Sequence, residues 1–415
     1  MEQKAGMNCT KMNLILFLLS MLILPISCSK ESAVKNVEMN FTTTTNGLEV
    51  FIKWEIIAPQ IQMTGIYINW GDNNTDYLTS NNVEASHYYV NPDVYDITLT
   101  AKNDEEEIIS KKTSVTVDFI ETSLENIKQS LFKSSDNEYL ILTLNLHTYQ
   151  ESQQNEKFNL IVDLIGKMDV DFIAFQECAQ KKTSDFATGN IRVDNMGLII
   201  KNKIKEKYGI DYNLVWDWAH YGWDIWEEGI AILSKHPLVD TDHRYISSNI
   251  STSSITSRKA IYGSYQTKDV RINIFSVHTH WRTSLYSEEQ NNQINSTKYM
   301  VNEKETDSTN ITTFVCGDFN CNPTSDYPWS EGYNTMMKNN KYSDTFLEIY
   351  TDANNKPAQS IYNTVGGDYP GRIDYIFMKK NSRYNILESQ IIFKSDVVGR
   401  VSDHFGVLTK VVYSQ

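Results

Sequence analysis

The sequence predicts an α/β fold with two packed mixed β-sheets flanked by helices, preceded by a small all-β sandwich. Two observations carry this prediction. Residues 35–119 contain short β-type runs separated by turn-forming stretches, whereas from Glu138 onward many apolar strands are interspersed with amphipathic helices. The chain has 415 residues. At roughly 100–200 residues per domain, this length fits two or three folding units.

The composition is that of a folded, acidic protein. Hydrophobic residues make up 40% and aromatic residues 12% of the chain, which is enough for real cores and argues against disorder. The formal net charge is −14. Such a chain has no general attraction for nucleic acid, because phosphate contacts need lysine and arginine. This disfavours a scanning nuclease, leaves room for a local basic cleft, and suits a site that concentrates a metal cation.

The N-terminus is predicted to be a targeting segment. An apolar run at residues 14–23 follows a positively charged start and is shorter than the about 20 residues of a transmembrane helix. The run leads into LPISC, which resembles a bacterial lipobox except that Pro25 stands where leucine is usual. We therefore expect residues 1–28 to be a signal peptide, with Cys28 lipidated. The alternative is an ordinary secretory signal.

A lipidated Cys28 would place the protein at the bacterial cell envelope or surface, anchored to the membrane through the lipid. The alternative signal would release it as a secreted protein. Cys178, Cys316 and Cys321 remain in the rest of the chain and are too few and scattered for a disulfide framework. Buried free thiols are expected, with a bridge between Cys316 and Cys321 as the alternative.

Residues 29–119 are predicted to be a tether followed by the β-sandwich. Predicted strands lie at residues 37–44, 48–57, 66–70, 86–90, 95–102 and 113–119. The sequences WGD at residues 70–72, HYY at 87–89 and YDITL at 95–99 resemble a polycystic-kidney-disease-type (PKD) immunoglobulin-like module, although Asp93 stands where that family prefers glycine. The module has no convergent titratable cluster, so we expect a spacer or a binding module.

The chemistry is expected in the part of the chain that follows. Residues 120–137 are charged and polar and are predicted to be a linker, and residues 138–415 to be a catalytic domain. Its predicted strands lie at residues 139–146, 171–177, 229–233, 260–266, 270–277, 312–316, 373–378, 386–393 and 406–412, and predicted helices lie around 158–165 and 196–204.

Polar residues follow or adjoin the ends of these strands. They are Asn145, Glu177, His280, Asp318, Asn320, Asp374, Asp403 and His404. Metal-assisted phosphoester hydrolysis needs hard oxygen ligands, a carboxylate that deprotonates water, donors to the phosphoryl oxygens and an imidazole fixed by a carboxylate. The set supplies all four.

The sequences around these residues resemble the endonuclease/exonuclease/phosphatase family, which includes deoxyribonuclease I, exonuclease III, inositol polyphosphate 5-phosphatases and bacterial sphingomyelinases. In order they are TLNL at residues 143–146, FQE at 175–177, EGIAILS at 228–234, THW at 279–281, GDFN at 317–320, RIDYIF at 372–377 and SDHFGV at 402–407. The resemblance covers about residues 138–415 and implies a four-layer α/β sandwich like that of deoxyribonuclease I.

The resemblance also implies a metal site. Glu177 would be the main ligand, with Asn145 beside it, and Asp403 would bind metal or hold its loop. Mg²⁺ is the expected cofactor, with Mn²⁺ or Ca²⁺ as alternatives.

The remaining matched residues would be catalytic. Asp318 would orient or activate the attacking water, and Asn320 would hold that water or a phosphate oxygen. His404, oriented by Asp374, would contact the phosphoryl group or act as acid and base. His280 would donate to the phosphate or to the leaving oxygen.

Other residues leave alternatives open. His278 is interpreted as structural or as a support for the ligands, and Glu228 could be purely structural. Arg372 either contacts substrate or neutralises nearby carboxylates. Four tryptophans crowd residues 216–226, of which core packing explains about half. The others, with Trp223 and Trp226 as candidates, would lie on a loop near the cleft and contact substrate.

The leading hypothesis is a monomeric, Mg²⁺-dependent phosphodiesterase or phosphatase outside the cytoplasm, acting on a phosphoester such as a nucleic acid, a phospholipid head group or a phosphosugar. A nuclease that scavenges extracellular nucleic acid is the close alternative, and a sphingomyelinase-like or phosphosugar hydrolase is another. A catalytically dead surface-binding lipoprotein is the non-enzymatic alternative, which the intact polar set disfavours.

Overall fold

The computed structural model describes residues 37–104, 106–284, 287–305, 310–325, 329–350, 362–366, 370–380 and 382–414. The predicted signal peptide and Cys28 lie outside the described residues. Within these ranges no helix has both the length and the apolar character needed to cross a membrane.

The N-terminal module is an all-β sandwich, as predicted. Its strands are β1 (Glu38–Asn46), β2 (Glu49–Ile57), β3 (Gly65–Asn69), β4 (Thr75–Thr79), β5 (Glu84–Tyr88), β6 (Asp93–Asn103) and β7 (Glu106–Val117). They form sheets of order β1-β2-β5 and β4-β3-β6-β7. Apolar side chains of both sheets, among them the fully buried Trp70 and Tyr89, fill the space between them. The sequence did not indicate β4, whose side chains are mostly exposed.

The C-terminal part contains fifteen further strands and five α-helices among the described residues. The strands are β8 (Glu138–Asn145), β9 (Phe172–Gln176), β10 (Gln180–Lys181), β11 (Phe186–Thr188), β12 (Ile191–Arg192), β13 (Asn213–Gly222), β14 (Trp226–Ser234), β15 (Leu238–Tyr245), β16 (Lys259–Gln266), β17 (Arg271–His278), β18 (Ile311–Asp318), β19 (Tyr342–Asp344), β20 (Asp374–Lys379), β21 (Tyr384–Ile392) and β22 (Gly406–Tyr413). The helices are α1 (Gln154–Met168), α2 (Met196–Tyr208), α3 (Glu289–Lys304), α4 (Glu331–Met337) and α5 (Thr345–Ile349).

Two mixed sheets form the centre of this domain. A seven-stranded sheet has the order β10-β14-β9-β8-β22-β21, with β13 also paired to β14, and a six-stranded sheet has the order β15-β16-β17-β18-β20-β19. Ile141 and Phe172 of the first sheet pack with Ile274 and Phe314 of the second in one buried cluster. Helices α1 and α2 cover the outer face of the first sheet, and α3 covers that of the second. The predicted four-layer arrangement is confirmed.

The segment predicted as a linker packs on the catalytic domain. Ile127 and Leu131 are buried in the same cluster as Leu142 of β8. The Thr122 hydroxyl donates to Asp163 of α1 at 2.7 Å. The sequence did not indicate this packing. Ile127 and Leu131 are isolated apolar residues in a polar stretch and form no periodic pattern, although both are buried in the core. The domain's packing therefore begins near residue 122, ahead of the predicted start at Glu138.

The N-terminal module touches the first turn of α1. The Leu48 backbone N–H donates to Glu156 at 3.1 Å, and the Asn155 side chain donates to the Val90 carbonyl at 2.7 Å. In the tryptophan-rich segment, Trp216 and Trp218 lie in β13 and Trp226 begins β14. Trp223 lies in the turn between them and is exposed, as expected for a tryptophan on a loop. The described cysteines Cys178, Cys316 and Cys321 are buried and unbridged.

Candidate active site

The polar residues singled out in the sequence converge at one edge of the two sheets. Strands β8 and β9 run parallel, as do β17 and β18, so their carboxyl ends meet there. Strand β20 runs antiparallel to β18 and starts at this edge, which places Asp374 opposite Asp318 in the register. His404 lies just before β22, which is antiparallel to β8. The topology therefore brings together residues from the ends of six strands.

Asn145 connects the two sheets. As the last residue of β8, it donates from Nδ2 to Glu177 at 2.9 Å and to Asp318 at 3.2 Å. Its Oδ1 accepts the backbone N–H of His147 at 2.9 Å. The side chain is fully buried, so these bonds fix the two carboxylates relative to each other.

Glu177 follows β9 with a left-handed backbone conformation, at φ +47°. Burial raises the pKa of its carboxyl group, and the neighbouring Glu228 carboxylate raises it further. The Thr148 hydroxyl lies 3.3 Å from an oxygen of each carboxylate and donates its single hydrogen to one of them at a time. Two acidic groups kept this close give the pocket an excess of negative charge.

Asp318 ends β18 and is almost completely buried. Burial and the nearby Asp374 carboxylate raise the pKa of Asp318 to about 7. Gly317 lets the strands approach here: it has φ +149°, and a Cβ at this position would lie 1.9 Å from the Val277 carbonyl oxygen. Any larger residue at position 317 would clash with the neighbouring strand, which explains the glycine of the GDFN sequence.

His404 and Asp374 form a buried pair. Nδ1 of His404 lies 3.0 Å from Oδ2 and 3.2 Å from Oδ1 of Asp374. Burial alone would lower the pKa of His404, but the carboxylates of Asp374 and Asp318 outweigh it and raise that pKa well above its usual value. The pair therefore holds an imidazolium whose Nε2 lies 3.8 Å from Asp318.

Asn320 is held in place by its own amide. Its Nδ2 lies 2.9 Å from the Thr279 carbonyl oxygen and 3.3 Å from Nε2 of His278, and its backbone N–H donates to Asp318 at 2.9 Å. Burial lowers the pKa of His278 well below its usual value, so this ring is neutral and its Nε2 accepts. With both N–H groups used, the amide can offer only its oxygen to a ligand. This favours a contact with water over one with a phosphate oxygen.

His280 follows β17 and is 4% exposed. Burial lowers the pKa of its ring to about 4, so the imidazole is neutral near pH 7. Its Nδ1 is buried without a hydrogen-bond partner among the described residues. A buried ring nitrogen without a partner is costly unless a ligand or water meets it. This fits the predicted contact with substrate.

Asp403 belongs to a second, more exposed group of possible ligands. Its Oδ1 is 3.4 Å from Nδ1 of His147, which also meets Glu151 at 2.7 Å. Ligand atoms of these three residues lie within 4.8 Å of one another. The sequence reasoning missed His147 and Glu151. The available signal was the position of His147, two residues after Asn145 at the end of a strand.

Two buried basic side chains lie next to the carboxylate of Glu228. Its carboxylate lies 3.2 Å from His220 and 3.6 Å from Arg258, and both partners are buried. Burial would raise the pKa of Glu228, but His220 and Arg258 outweigh it and lower that pKa. Neither His220 nor Arg258 was singled out in the sequence, because neither belongs to a quoted motif.

The other candidate substrate contacts lie outside the cluster. Arg372 is buried and bonded to Asp344 at 2.7 Å, which favours its neutralising role over substrate contact. Trp226 stacks on Tyr149 at 4.7 Å between ring centroids. Trp223 is 57% exposed at the turn between β13 and β14 and is free to meet a substrate.

The residues present fit a divalent cation. Glu177, His278 and Asp318 each offer a ligand atom within 4.8 Å of the others. Asn145 faces Glu177 and Asp318 with its amide nitrogen, so the atom left to meet a cation is Oδ1, which also accepts the His147 N–H. Carboxylate and amide oxygens are the ligands that Mg²⁺ prefers. Burial, and after it the neighbouring carboxylates, raise the pKa values of Glu177 and Asp318, and a bound cation would offset the crowded negative charge.

Comparison with known proteins is consistent with this geometry. A model of the endonuclease/exonuclease/phosphatase family matches residues 142–404. A family protein of that description from Leptotrichia buccalis C-1013-b is similar at 25% identity and a TM-score of 0.57, over 66% of this chain and 100% of its own. No curated protein sequence matches the chain.

Two further solved structures share the fold. The endonuclease/exonuclease/phosphatase from Beutenbergia cavernae DSM 12333 has 15% identity and a TM-score of 0.50, over 67% of this chain and 72% of its own. The human Nocturnin catalytic domain, solved with a bound sulfate anion, has 17% identity and a TM-score of 0.50, over 67% of this chain and 95% of its own.

Proposed function

The chain belongs to the endonuclease/exonuclease/phosphatase family, and we propose that it is a divalent-metal-dependent phosphoester hydrolase, a phosphodiesterase or a phosphatase. The observation that carries this proposal is the meeting of five side chains at one edge of the two sheets. They are Asn145, Glu177, Asp318, Asp374 and His404.

Asn145 and Glu177 would hold the cation, which we propose to be Mg²⁺, with Mn²⁺ or Ca²⁺ as alternatives. A bound divalent cation supplies positive charge to the phosphoryl oxygens. Asp403 is a weaker candidate ligand, because its carboxylate is grouped with His147 and Glu151.

The chain's own residues supply the rest of the chemistry. Asp318, with its buried carboxylate, would orient the attacking water and accept its proton. The Asn320 oxygen would accept a hydrogen bond from the same water. His404, kept protonated by Asp374, would donate to the phosphoryl oxygens, and its fixed orientation makes this a preorganised electrostatic contribution. The ring of His280, whose Nδ1 has no hydrogen-bond partner among the described residues, would meet the phosphate or the leaving oxygen.

The substrate is proposed to be a discrete phosphoester, such as a phospholipid head group or a phosphosugar. The net charge of −14 and the acidic group of Glu151 and Asp403 beside the site disfavour a long polyanion. The exposed Trp223 could cover a sugar face or touch lipid. An extracellular nuclease remains the alternative.

Attachment to the bacterial envelope is a further part of the proposal. It is supported by the apolar run at residues 14–23 and by Cys28 in its lipobox-like context. The secreted form is the alternative.

A substrate panel tests the proposal. The full chain is assayed with a bis-aryl phosphate, plasmid DNA, RNA, inositol phosphates, sphingomyelin and phosphosugars, each with Mg²⁺ and then with chelator. Hydrolysis that chelator abolishes is expected for at least one discrete substrate. Faster cleavage of DNA or RNA would favour the nuclease, and the absence of hydrolysis throughout would favour a surface-binding lipoprotein.

A further inference from the structure

Two glutamines of α3 hold the backbone of His280 from both sides. The His280 N–H donates to Oε1 of Gln293 at 2.7 Å, and the His280 carbonyl accepts from Nε2 of Gln290 at 3.0 Å. Both glutamine side chains are buried. Because they are three residues apart on a helix, they project from the same face.

Gln290 also reaches a second loop of the site. Its Nε2 lies 2.9 Å from the Asn320 carbonyl oxygen and 3.3 Å from the Phe319 carbonyl oxygen. One side-chain amide therefore connects the loop that carries His280 with the loop that carries Asn320. The other end of the amide, Oε1, is buried without a hydrogen-bond partner among the described residues. The orientation of the side chain therefore satisfies the backbone carbonyls and leaves its own oxygen unpaired.

The two loops lie beyond the sheet ladder, where Gln290 acts together with bonds between the loops themselves. The Thr279 hydroxyl donates to the Phe319 carbonyl at 2.7 Å, and Nδ2 of Asn320 donates to the Thr279 carbonyl at 2.9 Å. Strand β17 ends at His278 and β18 ends at Asp318. Past these points, the parallel pairing no longer sets the distance between the two chain segments. The backbone N–H of Thr279 still meets the Asp318 carbonyl at 3.0 Å, and Gln290 contacts the positions that follow. Sequence reasoning missed α3, because it buries amides where an apolar face is usual.

We propose that Gln290 and Gln293 are positioning residues that set the placement of His280 relative to Asp318 and Asn320. The inference rests on the proposed function, since the position of His280 matters most if it meets a substrate. Misplacing a reacting group by about 1 Å can cost on the order of 100-fold in rate. A role confined to stability would leave the rate constant of the folded enzyme unchanged.

The test replaces each glutamine by methionine, which has a similar length and cannot form these bonds. Each variant is expected to lose about 10- to 100-fold in kcat, with little change in KM. Gln293 contacts the site only through the His280 N–H among the bonds described, so the loss from Gln293→Met should vanish in a His280→Ala background. Asn295→Ala, an exposed change on the same helix, is the matched control and should retain full activity.

Hydrogen exchange gives a readout that does not depend on activity. The His280 amide should exchange faster in Gln293→Met than in the wild-type chain, while amides in β18 keep their rates. An unchanged exchange rate, or a kcat loss that persists undiminished in the His280→Ala background, would overturn the inference. If the wild-type chain hydrolyses no phosphoester, the proposed function fails, and the exchange rates alone decide whether Gln293 holds His280.

Discussion

Asp374 and His404 lie thirty residues apart in the sequence and meet as a buried pair, with 3.0 Å between Oδ2 and Nδ1. Asp374 begins β20 of the six-stranded sheet, and His404 precedes β22 of the seven-stranded sheet. The pair therefore bridges the two sheets at the site. It also explains why the pKa of His404 is raised although burial opposes the charged form.

The pair predicts non-additive kinetics. His404→Ala should lower kcat by about 10²–10⁴-fold, the range for losing a positioned acid, base or oxyanion donor. Asp374→Asn should cost somewhat less, because the imidazole remains but loses its partner. The double variant should be little worse than His404→Ala, since residues that act as a unit do not add. Steady-state kinetics of the three variants check this, and strictly additive losses would show that the residues do not act together.

Acid stability should depend on Asp171, which lies at the other end of the sheet. Its carboxylate contacts Lys235 at 3.1 Å, His236 at 3.0 Å and Lys133 at 3.2 Å, and it accepts the Leu140 N–H at 2.8 Å. Burial would raise the pKa of Asp171, but these partners outweigh it and lower that pKa. A group with a lowered folded-state pKa contributes stability above its unfolded value of about 3.9, and this is lost as the pH falls through the folded value.

Denaturant unfolding of wild type and Asp171→Asn measures this contribution. At pH 6–7 the variant should lose up to about 3–5 kcal/mol, the cost of removing one partner from a buried pair. The difference should shrink as the pH falls below about 4, because the wild-type carboxylate is then protonated as well. A difference that stays constant down to the lowest pH of native folding would mean that charge is not the cause.

The position of residues 122–131 predicts where the catalytic domain can be cut. A chain that begins at Glu121 should fold and retain activity. One that begins at Ser134 should be less stable, because it lacks Ile127 and Leu131, each contributing about 1.5–3 kcal/mol through burial. Thermal unfolding of both chains tests this. Equal melting temperatures would mean that residues 122–131 do not stabilise the catalytic domain and serve as a linker.

If the protein is anchored to the bacterial envelope as proposed, its attachment to the membrane depends on Cys28 alone. Cys28→Ser should move the protein from the membrane fraction to the soluble fraction, because lipid on Cys28 is the proposed anchor. Fractionation followed by immunoblotting measures the distribution, with Cys178→Ser as a control cysteine change. A Cys28→Ser variant that stays with the membrane would disprove the lipobox interpretation.

The site residues could be predicted because each follows or adjoins an apolar strand, a pattern that sequence shows directly. Asn145, Glu177 and Asp318 are of this kind. Residues that act through tertiary contacts left no such pattern. His147 is a single histidine, and the isolated Ile127 is buried in a cluster whose other members, such as Leu142, are distant in sequence. Strand β15 is an edge strand with mostly exposed side chains, so it lacks the apolar run that revealed the central strands.

Metal dependence is the central claim, and Glu177 tests it most directly. Glu177→Gln keeps the shape of the side chain and removes its negative charge. Hydrolysis of a bis-aryl phosphate is measured against Mg²⁺ concentration for wild type, Glu177→Gln and the exposed control Glu206→Gln, with circular dichroism to confirm folding. We predict that wild type and Glu206→Gln respond to Mg²⁺ and lose activity with chelator, while Glu177→Gln falls at least about 100-fold in kcat/KM. A folded Glu177→Gln variant with the wild-type Mg²⁺ response would contradict the account.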